Sequence, residues 1–354
     1  MVLPSGYEHS LILLASSITM LHVGSGRSYG VVDLPIQRDP MGYPIILASS
    51  FKGAFKANLL AYSGINKEIV EGFLGSEPDK SPSIPSLMLF TDLVPFAIPA
   101  PSASHGLVYV TTPYLLTKIF NYIEVVKNTK LDEEKVNELS IRKLEHNVWK
   151  TLIDTLLQES IDLKNNEVIV IGKIFENMKS LEVGTTIFVI KNILDLKQEL
   201  KNGKKYNKLA EIIMNLNKLY NYRHVLDHLV VVSDDIGKNV IDKTILVNYR
   251  IRINRETKTV QRGALWSEEY LPYGTLFFAL VLYKNVDNLV NQLKKHSKRE
   301  EFTKILEIYK NAWDKRELIL DALRNYLIVG GKETIGKGMV KLDIHGITTS
   351  RGEL

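Results

Sequence analysis

Cysteine is absent from this chain of 354 residues, which excludes disulfide bonds and thiolate metal sites. Long apolar runs are also missing: the run from Leu11 to Ala15 is far too short to cross a bilayer, and no basic segment precedes it. These absences predict an intracellular, cytoplasmic protein with no signal peptide, no transmembrane helix and no membrane partner.

Neither sign of charge dominates the composition. Lys and Arg number 45 against 40 Asp and Glu, so the formal net charge is +5, and the isoelectric point is near 9.0. A mildly basic chain permits nucleic-acid binding but does not establish it. The length suffices for one large domain or two modest ones with an ample apolar core.

The segment 21–56 combines flexible glycines, paired serines and cations. These residues are Gly24, Gly26, Gly30, Arg38, Ser49, Ser50, Lys52 and Lys56. The paired serines precede an amphipathic stretch that is predicted to be a helix. Backbone N–H groups at a helix start, with serine hydroxyls and lysines beside them, bind phosphates well. The segment therefore predicts a site for a polyanion.

One carboxylate in this segment conflicts with its cationic character. Asp33 follows Val31 and Val32, which predict a short extended run, and it precedes Pro35. An acid among phosphate contacts repels the ligand unless it binds a metal ion or takes a proton, so Asp33 is a candidate catalytic residue. The alternative is that Asp33 caps a turn and the glycines only shape a loop.

The rest of the chain alternates strand-like with helix-like patterns, which is typical of an α+β protein. Predicted strands are Ser10–Thr19, Ser86–Ala97, Gly106–Thr112, His224–Ser233, Leu276–Tyr283, Tyr326–Val329 and Met339–Ile344. The strongly apolar Leu276–Tyr283 is predicted to be central. Residues 118–223 show helical spacing, interrupted at Glu167–Ile171, and are predicted to be a mostly helical insertion.

Basic and apolar residues alternate from Lys243 to Gln261, which predicts a β-hairpin with one cationic face. Arg250 and Arg252 on such an arm suit contacts with a phosphate backbone, and Asn254–Lys258 is the predicted turn. The alternative is a solvated edge hairpin without a ligand.

Three further features are ambiguous from the residues alone. Glu268 and Tyr270 are two apart and point to the same side of an extended segment. The loop 330–338, with Gly331, Lys332 and Lys337, lacks a P-loop ending, so it is not a nucleotide-hydrolysing P-loop, and its residues alone indicate a turn between strands. His224 and His228 have metal-ligand spacing only on a helix, and a structural role is the prediction for them.

Four stretches carry a resemblance to a known family. They are H-V-G-S-G to S-S-F-K-G from His22, V-Y-V-T-T-P-Y-L-L from Val108, G-A-L-W-S-E-E-Y-L-P from Gly263, and G-G-K-E-T-I-G-K-G from Gly330. Together they resemble RAMP-superfamily proteins, in particular the repeated backbone subunits of type III-B (Cmr) CRISPR effector complexes. The tryptophan-bearing stretch is the most specific of the four.

The resemblance implies a fold and a division of the chain. RAMP proteins have a modified ferredoxin-like (RRM-type) core, which here would comprise residues 1–117 and 224–354. The large helical insertion would be residues 118–223. A protruding β-hairpin thumb, about residues 243–262, would wedge into a guide–target duplex.

The resemblance also implies a function. The chain would be a backbone subunit that binds CRISPR guide RNA, assembles in several copies beside other Cmr subunits, and cleaves complementary target RNA at regular intervals. Asp33 would be the catalytic residue and the ligand of a divalent metal (Mg or Mn), with His22, Glu268 and Tyr270 near the cleavage site. The implied RNA-binding residues are Gly24, Gly26, Arg38, Ser49, Ser50, Lys52, Lys56, Arg250, Arg252, Gly331, Lys332 and Lys337.

Two alternatives stay open at this point. One is a structural, RNA-binding backbone subunit in which Asp33 is only a turn residue. The other is a guide-processing ribonuclease that acts alone with His22 as its base. The second is disfavoured because no lysine and tyrosine lie near His22 to support such chemistry.

Overall fold

The computed structural model describes residues 6–28, 30–77, 79, 83–126, 129–140, 142–192, 222–286, 289 and 300–348. Its strands are β1 (Tyr7–Ser17), β2 (Met88–Phe90), β3 (Val94–Ser102), β4 (Gly106–Thr111), β5 (Arg142–Glu145), β6 (Glu167–Val170), β7 (Ser180–Val183), β8 (Thr186–Asn192), β9 (Leu229–Val232), β10 (Leu246–Ile253), β11 (Val260–Tyr270), β12 (Leu276–Lys284), β13 (Tyr326–Ile328) and β14 (Met339–Thr348). Its helices are α1 (Ala48–Tyr62), α2 (Lys67–Leu74), α3 (Pro113–Val126), α4 (Glu133–Glu138), α5 (His146–Ser160), α6 (Arg223–Asp227), α7 (Asp234–Asp242), α8 (Glu300–Asp314) and α9 (Arg316–Ala322).

Among these residues, twelve strands form one large mixed sheet. Its order is β13-β14-β1-β12-β3-β4-β9-β6-β8-β7, with β2 pairing to β12 and β5 pairing to β14. Strands β10 and β11 form a separate hairpin. A large mixed sheet accompanied by helices is consistent with an α+β fold, which confirms the predicted fold class at this level.

The two central strands divide the apolar residues between two cores. Successive side chains of a strand point to opposite faces of the sheet. Leu11 and Leu13 of β1 accordingly join one buried cluster with Phe277 of β12, and Ile12 and Leu14 join the other. Both faces of β12 are buried along nearly its whole length, so the prediction that this strand is central is confirmed.

Helices cover the two faces of the sheet separately. Helices α1, α2, α8 and α9 pack on the face that contains Leu11 and Phe277. Helices α3 and α5 pack on the other face. No helix in the described part of the chain is long and apolar enough to cross a membrane.

The region 118–223 contains more β-structure than its periodicity predicts. Helix α5 is present, but the region also contains the strands β5, β7 and β8 in addition to the predicted strand at β6. Strands β6, β8 and β7 extend the main sheet beyond β9, and their buried side chains join the same cluster as β3 and β4. Residues 193–221 lie outside the described residues, and the boundaries at 117 and 224 remain a prediction.

The predicted single strand Ser86–Ala97 is wrong, because it is interrupted between β2 and β3. At the interruption, Leu93 exchanges two backbone hydrogen bonds with Ile46. The neighbouring Asp92 carboxylate accepts a hydrogen bond of 2.7 Å from the N–H of Ala48, the first residue of α1. The break therefore ties the sheet to the start of the helix.

The predicted strand His224–Ser233 is also wrong in its first half, where the chain forms the short helix α6. A hydrogen bond of 2.9 Å joins His228 Nδ1 to the carbonyl of His224, and the two rings lie 4.1 Å apart. Helical spacing thus brings the two histidines together. No group of three or more His, Asp or Glu side chains suited to a metal ion occurs within the described ranges.

Substitution of Trp149 tests whether the region 118–192 shares a hydrophobic core with the other parts of the described chain. Trp149 is 1% exposed and packs edge-on against Phe96 and Phe278, with ring centroids 6.0 and 5.5 Å away. We expect Trp149→Ala to lower the free energy of unfolding by about 3–5 kcal/mol in a single urea transition, because it leaves a large cavity. Trp149→Phe, which keeps the aromatic contact, is the control with a smaller loss. Two separate unfolding transitions would contradict a shared core.

Candidate active site and RNA interface along strand β11

Strand β11 runs from an exposed hairpin into the body of the protein. Every residue of β10 is exposed, and β11 becomes buried only from Ser267 onward. Cross-strand pairs place Tyr249 opposite Ser267, and Ile251 opposite Leu265. The predicted hairpin is therefore present, although its strands continue to Tyr270, beyond the predicted end.

The two faces of the hairpin differ in chemistry. Residues directly opposite each other on antiparallel strands share a face. One face carries exposed apolar side chains and leads to Ser267; these are Val247, Tyr249, Ile251 and Leu265. The other face carries Arg250 opposite Trp266 and leads to Glu268 and Tyr270. The predicted division between a cationic and an apolar face is present in the structure.

The segment from Leu21 to Arg38 attaches to β11 through its backbone. Leu21 exchanges hydrogen bonds of 3.1 and 2.9 Å with Leu271. Further along, Leu34 donates to the carbonyl of Ser267 and accepts from the N–H of Glu269, both at 3.0 Å. These two attachments hold the intervening loop, with Gly24 and Gly26, at the base of the hairpin.

Asp33 contacts β11 through its side chain. Its Oδ2 accepts hydrogen bonds of 2.8 Å from both the N–H and the hydroxyl of Ser267. The N–H of Asp33 in turn donates to Ser267 Oγ at 3.0 Å. The side chain is partly exposed, and among the described residues no hydrogen bond reaches Oδ1. One carboxylate oxygen is held by the protein while the other remains accessible.

These contacts keep Asp33 ionised. The backbone N–H and the hydroxyl of Ser267, aided by the nearby Arg27, lower the pKa of Asp33 below its usual value. A carboxylate with a lowered pKa is a weak proton acceptor at neutral pH, but it is well suited to accept hydrogen bonds or to bind a cation.

The predicted extended run before Asp33 is wrong. Residues 30–33 form a series of bends, and Val31 is fully exposed. The N–H of Ser28 donates to the carbonyl of Asp33 at 2.8 Å, which closes the loop on itself. Gly26 has a φ of +101°, a conformation that strongly favours glycine.

His22 is buried and anchored to the same strand. Its Nδ1 lies 2.7 Å from the carbonyl of Glu269, and its carbonyl accepts from the N–H of Gly331 at 2.9 Å. A carbonyl can only accept, so the bonded Nδ1 carries the proton and a neutral ring keeps its lone pair on Nε2. That nitrogen faces Gly24, where an added Cβ would lie only 3.0 Å away. The side chain is 6% exposed, which favours a role in fixing the loop.

Glu268 is fully buried and fully bonded. Oε1 accepts from Trp266 Nε1 at 2.6 Å and from Lys332 Nζ at 2.5 Å, and Oε2 accepts from the hydroxyl of Tyr270. Burial acts to raise its pKa, but the bonds from Lys332, Tyr270 and Trp266 outweigh burial and lower the pKa to about 2. Burial and the adjacent carboxylate raise the pKa of Tyr270. This geometry gives both residues a structural part in joining the strand to the loop 330–338.

The loop 330–338 is bonded to the segment that contains His22. Besides the Gly331 bond to His22, the N–H of Gly338 donates to the carbonyl of Met20 at 3.0 Å. Lys337 Nζ lies 5.4 Å from the centre of the Tyr270 ring. The structure thus brings together two loops that are more than 300 residues apart in the chain, with Lys332 neutralising Glu268 between them.

Arg38 is drawn into ion pairs within the protein. Its guanidinium donates to Asp242 at 2.6 Å and to Glu269 at 3.3 Å, and its side chain is 26% exposed. The other carboxylate oxygen of Glu269 accepts from the N–H of Ile36 at 3.0 Å. These contacts fix the end of the Asp33 segment, and they reduce the capacity of Arg38 to bind a phosphate.

The start of α1 matches the predicted serine and lysine positions. The helix begins at Ala48, with Ser49 exposed and Ser50 accepting a hydrogen bond of 2.8 Å from Gln37. Burial and the adjacent Lys56 lower the pKa of Lys52. Lys56 itself pairs with Glu77 at 2.6 Å. Ser49 is therefore the exposed member of this group, while Lys56 is engaged by Glu77.

Three functional positions are missed by sequence reasoning. Ser267 precedes Glu268, and Glu269 lies between Glu268 and Tyr270. The third position is Gln37, which bonds to Gly24, Leu47 and Ser50. The alternation of side chains along β11 indicates part of this arrangement, because the side chains of Ser267 and Glu269 share one face of the strand. The loop that this face meets is not visible in the sequence pattern.

A divalent metal fits the site only in part. Asp33 Oδ1 is a suitable oxygen ligand, but within the described ranges no group of three or more carboxylates and histidines could hold an ion. Mg²⁺ commonly binds one or two carboxylates and completes its shell with water and substrate phosphates. The donor set therefore fits an ion shared with RNA and does not fit one enclosed by the protein.

The family is established by comparison with known proteins. The model of the RAMP superfamily matches residues 15–341. The chain belongs to this superfamily, and the resemblance carried by its motifs is confirmed.

Particular relatives narrow the class. The chain is 35% identical to the CRISPR system CMR subunit Cmr4 of Saccharolobus solfataricus, covering 97% of this chain and 98% of that protein. It is 27% identical to the CRISPR system Cmr endoribonuclease Cmr4 of Pyrococcus furiosus, over 95% and 96% of the two chains.

Solved structures agree with these relatives. A chain of the type III-B Cmr-beta complex, bound to cognate target RNA, matches with a TM-score of 0.65 and 29% identity, covering 96% of this chain and 98% of that one. A crystal structure of Cmr4 shares the fold, with a TM-score of 0.59 and 17% identity over 96% and 100% of the chains.

Replacing the buried Glu268 is expected to destabilise the fold in a pH-dependent way. Its pKa lies below that of an unfolded glutamate, so its contribution is present above about pH 4.5 and is lost as the pH falls toward 2. We expect Glu268→Gln to lower the free energy of unfolding by roughly 3 kcal/mol at pH 7, and by much less at pH 3. Urea unfolding at the two pH values measures this. Glu77→Gln, in an exposed pair with Lys56, is the control; an equal loss in both variants would contradict the assignment.

Proposed function

We propose that this chain is a guide-RNA-binding backbone subunit of a type III-B CRISPR complex that cleaves complementary target RNA. The observation that carries the proposal is an accessible carboxylate oxygen of Asp33, held at the base of an exposed hairpin with cationic and apolar faces. The relatives named Cmr4 support it, one of them an endoribonuclease. The relative bound to cognate target RNA supports the choice of substrate.

The proposed core is a modified ferredoxin-like fold, and the proposed thumb is the hairpin of β10 and β11. The antiparallel strands β1, β12 and β3, backed by α1 and α3, support such a core. The thumb is supported by the complete exposure of β10. Several copies of the chain, with other Cmr subunits, would then line up along one guide.

In this proposal the two faces of the thumb contact RNA differently. Arg250 and Arg252 are exposed and face the phosphates of the RNA. Their positive charge attracts the RNA backbone without recognising its sequence. Tyr249, Ile251 and Leu265 stack against bases that are separated from their partners. Distortion of the duplex at this point frees the RNA backbone to adopt the in-line geometry that cleavage requires.

Asp33 then acts on the distorted backbone. Its lowered pKa keeps it ionised, so it orients the attacking hydroxyl by accepting a hydrogen bond and stabilises positive charge beside it. A divalent ion, Mg²⁺ or Mn²⁺, held by Asp33 and by RNA oxygens would supply neutralisation of the phosphate charge. Glu268, Tyr270 and His22 maintain the loops around Asp33, which their burial and bonding support.

The alternative is a binding subunit without catalysis, and one observation favours it. The Ser267 bonds to Asp33 are also what a purely structural loop would contain. A solitary ribonuclease with His22 as its base has less support, because His22 is buried and packed against Gly24.

Replacing Asp33 separates catalysis from binding. In a complex reconstituted with guide RNA, Mg²⁺ and labelled target, we expect Asp33→Asn to reduce cleavage by about a hundredfold to ten-thousandfold. Target binding should be unchanged, because one neutralised carboxylate removes no phosphate contact. Asp162→Asn, on an exposed loop after α5, is the control with full activity. Cleavage by Asp33→Asn at the normal rate would eliminate Asp33 as the catalytic residue.

The apolar face of the thumb is tested by its cross-strand pair. We expect Ile251→Ser combined with Leu265→Ser to reduce regularly spaced cleavage about tenfold, because the polar side chains stack poorly against bases. Guide binding should change little, since the arginines remain. Ile187→Ser, at an exposed apolar position on β8, is the control. An unchanged cleavage pattern on a denaturing gel would contradict the wedge.

A further inference from the structure

Ser267 is an unusual residue for the position that it occupies. It is 3% exposed on β11, at the boundary where the strand passes from the solvated hairpin into the core. Its hydroxyl has both of its common bonding roles filled by one neighbour, since it donates to Asp33 Oδ2 and accepts from the N–H of Asp33. Its own N–H also donates to Oδ2. Three hydrogen bonds thus join one serine to one aspartate.

The hydrogen bonds from Ser267 restrict the orientation of the Asp33 carboxylate more than the backbone of the Asp33 loop does. Residues 30–33 are bends without regular structure, and the side chain of an aspartate on such a loop has several accessible rotamers. Two donors on a single oxygen select one of these rotamers, and the neighbouring Leu34 pairing with Glu268 fixes the backbone. The carboxylate plane is then set by β11, and Oδ1 is the oxygen that points away from its donors.

We propose that Ser267 is a positioning residue for RNA cleavage, which holds one oxygen of Asp33 so that the other is presented to the RNA. The inference rests on the proposed catalytic role of Asp33. Ser267 contacts neither substrate nor metal in this proposal and acts only through the aspartate. Because Ser267 belongs to the same strand as the thumb, it also fixes the distance between the wedge and the reactive carboxylate.

The test compares Ser267→Ala with Ser267→Thr in the reconstituted complex. Alanine removes two of the three bonds, and we expect the single-turnover cleavage rate to fall about tenfold to a hundredfold with target affinity unchanged. Threonine keeps the hydroxyl and should restore most of the rate. Ser63→Ala is the matched control, because this hydroxyl at the end of α1 is also bonded locally but lies outside the site.

Rescue by the conservative variant separates positioning from general damage. Ser267→Ala should lower the single-turnover rate at saturating target while the dissociation constant for target stays unchanged. Ser267→Thr should regain the rate, because its hydroxyl can again bond to Asp33. An equal loss of rate in the two variants would overturn the proposal.

Asp33→Asn is measured in the same assay so that two failures are distinguishable. If Asp33→Asn is inactive while Ser267→Ala is fully active, the positioning role is wrong and the proposed function stands. If Asp33→Asn cleaves normally, both are wrong.

Thermal unfolding of the whole isolated chain provides a readout that does not need activity. Should Ser267→Ala fail to assemble, Ser267→Cys, with a weaker donor of similar size, replaces it in the cleavage assay. A rate below that of Ser267→Thr is expected, and an unchanged rate would overturn the proposal. In addition, Ser267→Ala should lower Tm less in an Asp33→Ala background than in the natural chain, because the shared bonds are already lost. Equal losses in both backgrounds would overturn the contact on which the proposal depends.

Discussion

Backbone pairing along β11 is the constraint on which the rest of the site depends. Leu34 and the ring of His22 bond to this strand between Ser267 and Glu269, and Leu21 bonds to Leu271 just beyond its end. These attachments support the backbone beside Asp33, because residues 30–33 themselves form only bends. The large sheet holds this arrangement through β12, which follows β11 after a short connection.

Buried charge reinforces the same strand from its other face. Glu268 would be costly inside the protein if it were unpaired, and Lys332, Trp266 and Tyr270 remove that cost by bonding to it. Lys332 has a left-handed backbone conformation, with a φ of +71°. The cation that neutralises the buried carboxylate therefore lies at a backbone position that residues other than glycine rarely adopt.

The sequence pattern predicts elements well where the local periodicity of the residues matches the exposure of their side chains. Alternation identifies the hairpin, and continuous apolarity identifies the central β12. It fails where distant contacts decide the conformation. The break at Asp92 exists because that carboxylate caps α1, and the exposed bends before Asp33 exist because Ser267 bonds to it. Both partners lie far away in the chain, and no local periodicity records them. The same reason explains why Asp33 was singled out by its chemistry while Ser267 was not.

The exposed hairpin has a consequence for how the chain must be produced. The two-stranded arm exposes apolar side chains, among them Tyr249 at 74% exposure. Exposed strands with apolar side chains promote aggregation, and proteins normally cover or charge them. In the proposed function, nucleic acid or a neighbouring subunit would cover this arm. When the chain is produced in excess over these partners, the arm stays exposed. We therefore expect the amount of unaggregated chain to depend more on the supply of partners than on the stability of the fold.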